Sequence, residues 1–420
     1  NDHTPEEIRD ALKEKYTAQE LDEVIGELKQ LKELGALNAP DNYDDVKQVT
    51  ESGVVKSMCL HAAHDCNLRC KYCFASTGDF GQGRKIMPPE IAKKAIDFVI
   101  ARSGVRHNIE VDFFGGEPLM AWDTVTQTVD YARSLEEKYN KKFRFTITTN
   151  GLLLDEDKRK YINENMDNCV LSLDGRREVN DEFRKTVAGT GSYDTIVPKF
   201  KALVDERDPN LDYYARGTFT SHNLDFAEDV LSIADAGFDR LSVEPVTAAP
   251  GCGYDLTEDD LPKIEAEYDR LTDIMLERKK EGKPFTFFHF MVDLDQGPCV
   301  VKRLRGCGAG YEYVAVTPDG DIYPCHQFVG KDEFKQGSVL DQSFNMDIAQ
   351  KFAGMNIYSR PKCQKCWAKF YCSGGCSAAN YNMNHDMNDS YDLGCEMERK
   401  RLECAIYLKA MDKICANQSK

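Results

Sequence analysis

The chain has 420 residues, 41% of them hydrophobic, enough to fill at least one sizeable core and to divide into two or three domains. Its 71 acidic residues against 54 basic give a net charge of −17, which excludes an electrostatic footprint for nucleic acid or for an anionic membrane surface. No apolar run approaches the roughly 20 residues that span a bilayer, and the polar opening Asn1-Asp2-His3 is unlike a secretory leader, so the expected compartment is the cytoplasm.

Two helices are expected first, over Thr4 to Lys15 and Ala18 to Leu34. Thr4 precedes Pro5 and the acidic pair Glu6-Glu7, and Thr17 precedes Gln19 and Glu20, the residue types that cap helix N-termini. Ile8, Leu12, Leu21, Val24, Ile25, Leu28 and Leu31 supply apolar stripes, Gly35 stops the second helix, and Ala39-Pro40-Asp41-Asn42-Tyr43 reads as a linker. Residues 1–50 therefore form a small appended module in this reading.

From Ser57 the pattern switches to alternating strands and helices, which argues for a parallel sheet with crossover helices. Strands are expected at Ser57 to Ala62, Asn108 to Phe114, Phe143 to Thr149, Cys169 to Leu173, Tyr213 to Thr220 and Arg240 to Val246. Amphipathic helices fit between them at Pro88 to Arg102, Asp155 to Glu164, Tyr193 to Glu206 and Leu224 to Ala236. Six such units over residues 51–285 predict an α/β fold, a partial (β/α)6 barrel with its active site at the C-terminal ends of the strands.

The sixteen cysteines are the chemical signal, and they gather at short spacings that suit metal ligation better than a disulfide framework. Directly after the first strand stands His64-Asp65-Cys66-Asn67-Leu68-Arg69-Cys70-Lys71-Tyr72-Cys73-Phe74, a C-x3-C-x2-C loop. Three thiolates this close can hold three irons of a cubane and leave the fourth iron open; a half-built zinc site is the plain alternative. Other strand ends carry Phe113-Phe114-Gly115-Gly116-Glu117-Pro118, Thr149-Asn150-Gly151 and Leu171-Ser172-Leu173-Asp174-Gly175. The two glycines let the backbone approach a ligand and Glu117 can accept from an ammonium group, although each stretch alone is an ordinary turn.

With these motifs the chain resembles the radical S-adenosylmethionine (SAM) superfamily from Val55 to about Pro245. The resemblance implies that Cys66, Cys70 and Cys73 ligate the catalytic [4Fe–4S] cluster, and that Tyr72 lies against the adenine. It further implies that Gly115, Gly116 and Glu117 bind the methionine amino end, with Asn150, Ser172 and Arg184 reaching ribose or carboxylate. Arg184 reads equally as a solvated arginine in a charged stretch.

Beyond Cys299, Cys307 and Cys325 form C-x12-G-x4-C around Gly320, and Cys363, Cys366, Cys372 and Cys376 form C-x2-C-x5-C-x3-C, with Cys395 following. A pair of zinc ribbons would want eight ligands in a different order. The same order is similar to the SPASM extension of radical SAM relatives, expected here over residues 286–420, which implies two auxiliary clusters and three [4Fe–4S] clusters in all. In that pattern Cys363, Cys366, Cys372 and Cys395 hold the outer cluster and Cys307, Cys325 and Cys376 the inner one. Either Cys299 completes the inner set or an open iron is left for a substrate thiolate. Of the remaining cysteines, Cys59, Cys169, Cys404 and Cys415 read as buried or free thiols, and Cys252 sits in a loop near the barrel mouth.

SPASM relatives largely modify ribosomally made peptides. Residues 1–50 resemble the C-terminal part of a winged helix-turn-helix recognition element for a leader peptide, or else a helical brace. The stretch Met58-Cys59-Leu60-His61-Ala62-Ala63-His64-Asp65 is most similar to the maturases of six-cysteines-in-forty-five-residues peptides. This implies a thioether between a cysteine sulfur and a threonine α-carbon, begun by a 5′-deoxyadenosyl radical, with a ferredoxin- or flavodoxin-type electron donor as partner. Sulfatase-type oxidation is the enzymatic alternative, weakened by His326 standing where a relative has an acid; an iron–sulfur electron-transfer protein is the other.

Overall fold

The structure, a computed structural model, describes residues 3–37, 53–294 and 299–418. The expected linker at residues 39–43 lies outside them. Two compact units divide the chain, Asn1–Thr50 and Glu51–Lys420.

In the first unit, α1 (Pro5–Leu12) and α2 (Ala18–Glu33) each open on a capping box. Thr4 Oγ accepts from Glu7 N at 3.3 Å while Glu7 Oε2 accepts from Thr4 N at 2.6 Å, and Thr17 with Glu20 repeats the pattern. The first helix ends three residues earlier than Lys15 because Thr17 caps from an extended backbone, so the chain must leave the helix before it. Arg9 donates to Asp22 at 2.8 Å and ties the two helices together, and Leu21 and Ile25 are the buried apolar residues of α2.

The second unit carries the sheet. Its strands are β1 (Ser57–His64), β2 (Leu68–Cys70), β3 (Lys85–Ile86), β4 (Asn108–Gly115), β5 (Lys142–Thr149), β6 (Asn168–Ser172), β7 (Arg184–Thr186), β8 (Asp212–Phe219) and β9 (Arg240–Pro245). β1, β4, β5, β6, β8 and β9 lie side by side in that order, all parallel, at the six places the pattern predicts. Between them run α3 (Pro89–Arg102), α4 (Trp122–Tyr139), α5 (Glu156–Asn165), α6 (Arg177–Phe183), α7 (Tyr193–Asp205) and α8 (Phe226–Asp235).

Because strand side chains alternate, each strand splits chemically. Leu60, Val111, Phe145, Leu171, Ala215 and Val243 are fully buried with Ile96, Val129, Phe200 and Val230 from the helices. The residues one position along, His61, Asp112, Thr146, Ser172, Arg216 and Glu244, point to the other face, which is polar. Burying the apolar set contributes roughly 1.5–3 kcal/mol for each large side chain and fixes the register, since a one-residue slip would exchange the two faces.

β10 (Thr286–Phe287) adds to β9, and β11 (Tyr313–Val316) adds parallel to β1, so the cysteine-rich segment joins the same sheet. β12 (Asp321–Tyr323) then pairs antiparallel with β11. Among the described residues β1 and β9 do not pair, so the sheet is open. It is nevertheless curled: His326, just past β12 at one side, interacts electrostatically with Arg216 and Glu244 from β8 and β9 at the other. This is the partial (β/α)6 arrangement, with the polar face inward.

Candidate active site

The chain leaves β1 through Asp65 into the three-cysteine loop, where Asp65 Oδ1 accepts from Cys66 N at 2.8 Å. β2 lies inside this loop and pairs antiparallel with β7, setting Cys70 opposite Arg184. Gly116 N donates to Ala63 O at 2.7 Å and Glu117 N to Asp65 O at 2.9 Å. A Cβ on Gly115 would stand 2.3 Å from Ala63 O, and one on Gly116 would stand 2.1 Å from Asp65 O. At these glycines the space a side chain would need is taken by the protein's own backbone.

Burial pushes the Cys66 thiol up to about 12, with Glu117 adding to the shift, and the Cys70 thiol up to about 11 against the pull of Arg184. Burial also raises Cys73. Such thiols keep their protons unless a strongly cationic group stands beside them. The three act electrostatically on one another, as ligands of one iron cluster must. Leu68 N and Asn150 Nδ2 already point at Cys66 Sγ, at 3.4 and 3.5 Å, where they would support a bound thiolate. Residues and group fit.

The predicted SAM contacts gather around this loop. Glu117 is 1% exposed and accepts from Asn150 N at 2.8 Å, Thr149 Oγ at 2.8 Å and Leu119 N at 3.0 Å. Burial nevertheless pushes its carboxyl up to about 7. Asn150 also reaches Asn67 Oδ1 at 2.8 Å. Tyr72 Oη donates to Asp174 Oδ2 at 2.6 Å and accepts from Arg184 Nη1 at 2.7 Å, and Arg184 stands 3.7 Å from Asp174. Arg184 is buried, which overturns its reading as a solvated residue, and its Nε has no hydrogen-bond partner among the described residues. Ser172 ends β6 beside Arg216 of β8. Asp174 was no candidate in the sequence; its signal was the Leu-Asp-Gly that follows Ser172.

The C-terminal cysteines also come together. Cys363, Cys366, Cys372 and Cys395 line one cavity of about 330 Å³, the four expected for the outer cluster. Burial raises Cys372 to about 12 and Cys395 to about 11. Cys307 and Cys325 act electrostatically on each other and on Cys376, the expected inner set. Arg360, 2% exposed, interacts with Cys363, Cys372, Cys376 and Cys307, so a buried cation stands between both sets of future thiolates. Cys299 is exposed at the start of a one-turn helix, while Cys252 is exposed and held by Asp255 at 3.7 Å. Cys59, Cys169 and Cys404 are buried, and Cys415 is exposed. Among the described residues no helix is long and apolar enough to cross a membrane.

Comparison with known proteins agrees with this arrangement. Residues 62–214 match the radical SAM superfamily and residues 307–367 match the SPASM iron–sulfur cluster-binding domain. A cysteine-type anaerobic sulfatase-maturating enzyme of Clostridium novyi is 24% identical over 80% of this chain and 91% of its own. Among solved structures, native anSMEcpe with bound AdoMet superimposes with a TM-score of 0.69 at 21% identity, over 87% of this chain and 100% of that one. Streptococcus suis SuiB bound to its precursor peptide SuiA gives 0.56 at 18% identity, over 88% and 87%. The chain thus carries a radical SAM domain, built on the sheet that ends in the three-cysteine loop, followed by a SPASM iron–sulfur cluster-binding domain.

Proposed function

We propose that this is a cytoplasmic enzyme that joins a cysteine sulfur to the α-carbon of an acceptor residue, threonine, in a ribosomally made cysteine-rich peptide. When bound, SAM and three [4Fe–4S] clusters supply a radical that removes a hydrogen atom and a sink for the surplus electron. The chain's own residues do the holding. Cys66, Cys70 and Cys73 ligate the first cluster, Glu117 faces the SAM ammonium, and Asn150, Ser172 and Arg184 orient the rest of SAM, with Tyr72 toward the adenine.

The observation that carries the thioether reading is the inner set. Cys307, Cys325 and Cys376, which act electrostatically on one another, are one thiol short of a closed cluster, and Cys299, exposed as Cys307 and Cys376 are, is the fourth candidate. An inner cluster with three protein thiolates would leave one iron for a substrate thiolate. Residues 1–50 serve leader-peptide recognition, residues 51–285 the radical chemistry and residues 286–420 the auxiliary clusters, with reduction by a ferredoxin- or flavodoxin-type donor. A second reading, oxidation of a serine or cysteine, is favoured by the likeness to the sulfatase-maturating enzyme.

Anaerobic reconstitution should load about 12 irons per chain, and dithionite with SAM should yield 5′-deoxyadenosine. No yield above a Cys66→Ala control would refute an enzyme. Co-expression with small cysteine-rich open reading frames, followed by mass spectrometry, should show two hydrogens lost per crosslink. A carbonyl-reactive product would favour the second reading, and an unchanged peptide would reject both for that peptide.

A further inference from the structure

The inner face of the sheet holds a charged pair that neither the SAM contacts nor the cysteine sets use. Arg216 on β8 is level with Ser172 on β6 and Ser242 on β9, and Glu244 lies two residues beyond Ser242, on the same face. Arg216 Nη2 donates to Glu244 Oε2 at 2.5 Å. Their side chains are 47% and 33% exposed. Both lie on the polar inner face with Ser172 and Ser242, and His326, on the opposite side of the curled sheet, interacts with them electrostatically.

The polar groups around the pair satisfy one another. Arg401, which pairs with Glu398 at 2.9 Å, donates to His289 Nδ1 at 3.0 Å. Arginine can only donate, so His289 carries its proton on Nε2, which lies 3.3 Å from Ser242 Oγ. Arg216 Nε and Nη1 and Glu244 Oε1 remain without hydrogen-bond partners among the described residues. The lumen therefore presents donors and an acceptor side by side on a pair with no net charge. A carboxylate or phosphate would meet the charge of Glu244, and an ammonium that of Arg216. A peptide unit, with one C=O and one N–H, suits both.

We propose that Arg216 and Glu244 dock a backbone peptide unit of the substrate, Arg216 donating to its carbonyl and Glu244 Oε1 accepting from its N–H. The site deepens the peptide-substrate reading above and rests on it. It lies between Ser172, at the SAM side, and His326, next to Cys325 of the inner set, so the docked unit would sit between the two chemistries.

The test measures binding of N-acetyl-cysteinyl-threonine N-methylamide to the SAM-bound anaerobic holoenzyme by saturation-transfer NMR, against the analogue with every backbone nitrogen methylated. The native protein should prefer the unmethylated peptide at least about tenfold, the worth of a hydrogen bond to a charged group. Glu244→Leu and Arg216→Met should each remove that preference. Glu244→Gln, which keeps the shape, should reduce it and serves where a bulkier change lowers the iron content. No preference in the native protein, or the full preference retained in these variants, overturns the site. Because binding is read without turnover, a failure of thioether formation remains distinguishable from a failure of this site.

Discussion

Adding SAM to the cluster-loaded protein at pH 6 should expel a proton from Glu117. Its carboxyl is 1% exposed, and burial pushes it from an ordinary 4.5 up to about 7 despite the donors Asn150 N, Leu119 N and Thr149 Oγ. At pH 6 about nine in ten molecules therefore hold the proton before SAM arrives. A raised carboxyl means that the folded state binds the proton more tightly than the unfolded chain does. Its stabilising contribution is fully present below about 4.5 and is lost as pH rises through about 7, a difference on the order of 3 kcal/mol at 1.36 kcal/mol per pH unit. An ammonium beside the carboxyl favours the ionised form. Binding should then release up to about 0.9 proton at pH 6, about half at pH 7 and almost none above pH 8. Titration calorimetry in two buffers of different ionisation enthalpy measures this directly. No release at pH 6, or an equal release by Glu117→Gln, would refute the role of Glu117.

Asp174→Ala removes the carboxylate paired with buried Arg184, and should cost about 3–5 kcal/mol in urea unfolding of the apoprotein. Tyr72→Phe, which leaves Arg184 and Asp174 together, should cost about 1–2 kcal/mol by the same measurement. Gly116→Ala forces a Cβ to 2.1 Å from Asp65 O and should displace the cysteine loop, seen as about four irons fewer per reconstituted chain and no 5′-deoxyadenosine. Arg360→Met removes the cation between the two C-terminal sets and should lower iron toward about four per chain, while Arg360→Lys restores part of it.

Four of the six parallel strands were legible as short alternating runs closed by glycine or a polar turn, as in Asn108–Gly115 and Lys142–Thr149, whereas Ser57–His64 is buried throughout. The capped helices were legible because Thr4 and Thr17 each precede a glutamate by three residues. The resemblance to the SPASM pattern, rather than spacing, sorted the outer set, and those four side chains line one cavity. What stayed hidden depends on contacts between distant segments. β2 and β7 have three residues each and meet across more than a hundred residues of chain, so no periodicity announces them. The role of Arg184 follows from that pairing, as does its partnership with Asp174. Arg360 offers no signal, because its charge matters only once cysteines from separate segments surround it.

The register of β11 against β1 joins these observations. Ser57 to Leu60 pair with Tyr313 to Val316, so the strand that leads into the first cysteine loop is hydrogen-bonded to the strand that leads toward Cys325. The loop after β1 and the segment after β12 are joined through β11 in one sheet and cannot drift apart without breaking a backbone ladder. Phe74, after the cysteine loop, and Phe114, on β4, have their ring centres 5.4 and 5.1 Å from that of His326. The separation of the two cysteine sets is thus held by the sheet, and the chemistry is left to whatever the lumen between them admits.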